Sequence, residues 1–163
     1  MNHEPSEALR SLSLQVREGE GADHMLEARI WAILGRTRGG DDDVAWRKHL
    51  PMGPKCIVNG TTLDVAIERF PEDGAGLCNA WYIPGLTTSI DAVEELMGPS
   101  EDPFVWSLMT DHGGLRRARV SDADGTATRA DAKSTPRALL AAALLAYAAR
   151  IDRDLPLPGG LSI

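Results

Sequence analysis

The stretch Gly85-Leu86-Thr87-Thr88-Ser89-Ile90-Asp91-Ala92-Val93-Glu94-Glu95-Leu96-Met97-Gly98 is a helix with both ends marked. Ile90, Val93, Leu96 and Met97 recur at helical spacing, so one face seals against a core. Thr88 or Ser89 can accept a hydrogen bond from the first unpaired N–H groups. Asp91, three residues after Thr88, takes the place of a capping-box acid and suits the positive end of the helix dipole. Gly98-Pro99 stops the helix. A capped surface helix accounts for this pattern. The alternative is a ligand-facing helix start, its N–H groups and three hydroxyls turned to a ribose or phosphate, although Asp91 disfavours an anion directly on the terminus.

Upstream, Leu9, Leu12 and Val16 predict a short amphipathic helix over 6–18 with Ser6 as N-cap, ending at Gly19-Glu20-Gly21. Asp23 caps a second helix with the stripe Leu26, Ile30, Ile33 and Leu34, closed by Gly35; Arg29 lies on its polar side. Residues 36–55 are rich in turn formers and read as a surface loop, with one helical turn near Trp46. Asp41, Asp42 and Asp43 are oxygen ligands of the right kind for a hard cation but lack the spacing of a calcium loop, so no metal site is expected. Around Asn59-Gly60, Cys56–Val58 and Leu63–Phe70 read as a half-exposed hairpin. Cys78–Ile83 is a third strand, and it carries Trp81 and Tyr82 to the edge of the capped helix.

Downstream, Phe104–Met109 and Leu115–Val120 are strands joined through Asp111-His112-Gly113-Gly114, with Leu115, Arg117 and Arg119 on one face. Two arginines side by side suit a solvated surface; covered by another subunit they become a phosphate clamp. Ser121–Lys133 reads as a loop or weak edge strand. Ser134-Thr135 and Pro136 then open a long helix with the stripe Leu139, Leu140, Ala143, Leu144 and Tyr147, its alanines permitting close packing on a sheet. Residues 154–163 read as a loose tail. The sum is an α+β fold, an antiparallel β-sheet with packed helices (an αβα sandwich), as a single domain over 1–153.

A chain of 163 residues suffices for one domain with a proper core. Cys56 and Cys78 fit neither a zinc site nor a disulfide scaffold and read as reduced thiols of a cytoplasmic protein. No apolar run is long enough for a membrane span, and no signal-peptide pattern opens the chain. The net charge of −7 opposes binding to long nucleic acid, so an anionic ligand must be met locally. Only Lys48, Lys55 and Lys133 of the 17 basic residues are lysines; the rest are arginines, which contact phosphate in bidentate fashion. Codon bias in an Ala-, Gly- and Arg-rich genome explains the same excess. No GxSxG, HExxH, P-loop or GxGxxG-to-helix motif is present, and His3, His24, His49 and His112 are scattered, so no enzyme is expected. The small apolar residues of 136–150 and the tryptophans Trp31, Trp46, Trp81 and Trp106 point to a homo-oligomer, with the helices of 6–34 as contacts.

Three segments carry a family resemblance. "LRSLSLQVREGEGADHMLEARIWAILG" (Leu9–Gly35) resembles the paired N-terminal helices of phage proteins with the phage ABA sandwich domain. "WYIPGLTTSIDAVEELM" is similar to that family's central signature, and "STPRALLAAALLAYAA" to its closing Ala-rich helix; matched residues span about half the chain. Leu86 stands where the family shows tyrosine, and the loop from Arg36 to Met52 is longer and more acidic. The architecture also resembles the first type of Thoeris anti-defence proteins, phage-encoded sponges that assemble as hexamers. These bind cyclic ADP-ribose immune signals without cleaving them, and some hold cyclic oligonucleotides at a separate site. The resemblance implies a homo-oligomeric sponge in the host cytoplasm, without cofactor. Its ligand set would be Trp81 or Tyr82 stacking on adenine, Asn79, Thr87, Thr88 and Asp91 on ribose, and Arg29, Arg117, Arg119 and Arg137 on pyrophosphate. A phage accessory module that binds another protein through its tryptophans is the alternative, and a hydrolase of such nucleotides a third reading.

Overall fold

The structure is a computed structural model; it describes residues 4–34, 55–58, 61–64, 82–83, 85–98, 104–111 and 113–155. The chain is α+β, an antiparallel sheet with packed helices, and divides into two compact units: Met1–Ala22 with Leu86–Leu161, and Asp23–Gly85 with Ser162–Ile163.

In the first unit, helix α1 (Glu4–Glu18) begins two residues before the expected start, which puts Ser6 inside it and fully buried rather than at the N-cap. Leu9, Leu12 and Val16 are buried as their spacing requires. Helix α3 (Ile90–Met97) is capped by Ser89, whose Oγ accepts from Ala92 N at 3.2 Å; Asp91 is therefore one residue short of the capping-box place relative to the true cap. Gly98, at φ 61°, closes the helix by donating to Glu94 O at 2.9 Å.

Strands β4 (Val105–Thr110), β5 (Arg116–Ser121) and β6 (Ala127–Ala132) form an antiparallel sheet in that order. Asp111 makes the first turn by accepting from the N–H groups of Gly113 and Leu115, each at 2.9 Å. The segment read as a loop or weak edge strand is a second full hairpin. Asp122 N donates to Thr126 O at 2.8 Å, and Gly125, at φ 86°, completes the turn. Six residues of β6 then pair in register with β5.

Helix α4 (Thr135–Asp152) packs on β5 and β6 while α1 lies along it and α3 leans on it. Every residue from Arg137 to Leu144 is buried, so the expected stripe is instead a helix buried all round at its N-terminal half. Two of its carbonyls accept from hydroxyls, Ser13 Oγ donating to Ala141 O and Thr128 Oγ1 to Ala142 O, both at 2.8 Å, while its own Tyr147 Oη donates to Leu96 O of α3 at 3.1 Å. Ser134 occupies the N-cap in extended conformation but makes no capping bond with its side chain. Asp154 and Leu155, placed in the expected tail, fold back on the helix end, Leu155 N donating to Arg150 O at 2.9 Å.

In the second unit, Asp23 caps α2 (His24–Leu34) by accepting from Leu26 N at 3.0 Å, and Leu26, Ile30 and Leu34 are buried. Strands β1 (Lys55–Val58) and β2 (Thr61–Asp64) pair antiparallel, Cys56 opposite Leu63, so the second strand starts two residues before its expected Leu63. The third strand, β3 (Tyr82–Ile83), joins β1 in parallel rather than continuing an antiparallel meander. Alternation of apolar residues encodes a strand's faces but not the direction of its neighbour. Of the expected loop 36–55, Lys55 begins β1 and residues 36–54 lie outside the described residues.

Candidate functional site

The sheet of the first unit has two unlike faces. Ala118, Val120, Ala130 and Ala132 turn to α4 and are buried, with Trp106 half-buried on β4; the opposite face carries Ser107, Met109, Arg117, Arg119, Arg129 and Asp131. Pairing register arranges these outer residues in rows. Ser107 lies opposite Arg119 and Arg119 opposite Arg129; the next row is Met109, Arg117, Asp131. Together with Arg17 of α1, whose Nε reaches Asp131 O at 3.5 Å, they line an open depression of about 580 Å³.

The charges in this depression are unevenly matched. Arg117 grips Asp131 with two parallel bonds, Nε to Oδ1 at 2.7 Å and Nη2 to Oδ2 at 3.1 Å. Those hydrogen bonds from Arg117 hold the Asp131 carboxyl below its ordinary range and raise the guanidinium in turn. Among the described residues Arg119 and Arg129 have no acceptor at all, although they stand directly across from each other. Like charges opposed on neighbouring strands cost stability, and an anion between them reverses the sign of that cost. Among the described residues lining the depression, four guanidiniums face a single carboxylate.

Of the residues expected to bind a ligand, Arg117 and Arg119 share this face. Arg137 does not: it is 1 % exposed, and its guanidinium donates to Val16 O at 2.9 Å, to Gly21 O at 2.8 Å and to Glu20 O at 3.3 Å. Its assignment to pyrophosphate is corrected to a structural one, because α1 ends with unpaired carbonyls that a buried guanidinium can satisfy at once. Thr87 is also buried, at 1 % exposure, while Thr88 and Asp91 are exposed beside α3, which packs on α4, the helix covering the other face of the sheet. Arg29 is exposed on α2 in the second unit. Tyr82 belongs to β3, its side chain outside the described set; Asn79, Trp81 and Asp41 to Asp43 lie outside the described residues, as do three of the four histidines.

The sequence reading missed Arg129 and Arg17. Arg129 was legible in principle: the turn Asp122-Ala-Asp-Gly125 folds Thr128-Arg-Ala-Asp131 back along Arg117-Ala-Arg119, which sets arginine against arginine. Arg17, on a helix, becomes a neighbour only through the packing of α1. Among the described residues no cluster of side chains could hold a metal ion, and no helix is long and apolar enough to cross a membrane.

No family model matches this chain, and neither does any curated protein or solved structure. What fold and site define is an α+β protein with an arginine-lined outer sheet face.

Proposed function

We propose that the chain binds a phosphate-bearing nucleotide on the outer face of β4–β6 and holds it uncleaved, as a homo-oligomeric sponge for cyclic ADP-ribose-type signals in the cytoplasm of a phage-infected bacterium. The observation that carries this reading is the opposition of Arg119 and Arg129, without partners among the described residues, beside Arg117 and Arg17. In a chain of net charge −7 such a concentration of guanidinium meets an anion by local, charge-assisted bonds that outweigh general repulsion. The choice of cyclic ADP-ribose, with cyclic oligonucleotides as a second class, rests on the resemblance to phage sponges.

The test is incubation with a panel of cyclic ADP-ribose isomers and cyclic dinucleotides, with chromatography before and after heating. A sponge depletes the free signal and returns it intact; new products indicate a hydrolase. Arg119→Ala and Arg129→Ala are each expected to weaken binding about tenfold, since each removes a bond to a charged group. Light scattering that finds only a monomer would count against the assembly. Val105 and Met109, 67 % and 63 % exposed along β4, favour a second reading, a protein-binding face, which depletion of no signal would support.

A further inference from the structure

Among the described residues Asp131 is the one carboxylate that lines the arginine-rich depression, and for a site that only collected negative charge it is the wrong residue. It repels any anion and occupies two donors of Arg117. Its side chain nonetheless remains 33 % exposed, and each carboxylate oxygen, accepting one bond from Arg117, keeps lone pairs for another donor. A ligand that brings hydroxyl groups beside its phosphates uses those lone pairs; a bare polyphosphate meets only the repulsion.

Resting on the reading of this face as phosphate-binding, we infer that Asp131 is a specificity residue: it selects nucleotides with an intact ribose diol over phosphates that lack one. Arg17, Arg119 and Arg129 face the phosphates, and Asp131, oriented by Arg117, accepts from the sugar. A bidentate pair with Arg117 fixes the carboxylate plane, so the acceptor is preorganised before ligand arrives. Among the described lining residues the guanidiniums outnumber the carboxylate, and that local positive charge suits a ligand with two phosphates.

Calorimetry on the full chain with ADP, 2′,3′-dideoxy-ADP and pyrophosphate tests this. The parent chain is expected to prefer ADP over the dideoxy compound by about tenfold, the worth of hydroxyl bonds to a charged acceptor. In Asp131→Ala, and partly in Asp131→Asn, that ratio collapses towards one while pyrophosphate binds about threefold tighter, as relief of an exposed like-sign contact allows. Equal affinity of the parent for ADP and its dideoxy analogue, or a ratio unchanged in either folded variant, overturns the role of Asp131 alone. If the parent binds none of the three, or Arg119→Ala and Arg129→Ala bind all three like the parent, the phosphate-binding reading of the face falls and takes this inference with it.

Discussion

Arg137 illustrates how much a single side chain's meaning depends on depth. As a residue type in a net-negative chain it suits a phosphate; buried between α1 and α4 it closes a helix instead. Replacing it with alanine leaves the buried carbonyl of Val16, and the part-buried carbonyls of Glu20 and Gly21, short of a donor, which is expected to cost about 2 kcal/mol. Urea denaturation would show a lowered midpoint for Arg137→Ala, whereas Arg119→Ala, which relieves its opposition to Arg129, should not lower it. Gly19 belongs to the same arrangement, for a Cβ there would lie 2.9 Å from Arg137 Cζ. Any side chain at that position must push the guanidinium off its acceptors.

At the scale of elements, the capped helix was readable nearly residue by residue, because a cap, an apolar spacing and a terminal glycine all act within a dozen positions. Ser89→Ala is expected to lose about 1 kcal/mol of stability through its bond to Ala92 N, measurable as a fall in denaturation midpoint. Strand β6 was hard to read for the opposite reason. Ala127-Thr-Arg-Ala-Asp-Ala132 has little strand propensity of its own; it is held by a complete ladder to β5 and by burial of Ala130 and Ala132 under α4. The long helix shows a related effect. Its leucines announced one buried side, but all of its alanines except Ala149 are buried too, since α1 covers what the sheet does not.

For the whole molecule, exposed ion pairs bind distant parts of the first unit together, and three of its carboxylates are held below their ordinary range. Hydrogen bonding to Lys133 does this for Glu20, the Thr126 backbone N–H for Asp124, and Arg117 for Asp131. A carboxylate whose folded pKa is depressed stabilises the fold fully above its unfolded value, about 4, and loses that contribution as pH falls through the folded value. The parent chain is therefore expected to lose its advantage over Asp131→Asn below about pH 4, the two denaturation midpoints converging there while differing at pH 7. Added salt should narrow the gap at neutral pH, because these pairs are exposed.

By itself the sequence determined what is local: the α+β class, the starts and stops at Asp23, Thr88-Ser89 and Gly98, the turn at Asp111, and the apolar spacings that bury Leu9, Leu12 and Val16. Each depends on atoms within a few residues, where propensity, capping and periodicity operate. Tertiary structure alone decided what is distant. It sent Arg137 inward to α1 and carried Arg17 from the first helix to the sheet face. It also paired β3 with β1 in parallel. Water, a carbonyl and a phosphate can each satisfy an arginine's donors; which of these Arg137 and Arg17 meet is settled by the packing of elements far apart in the chain.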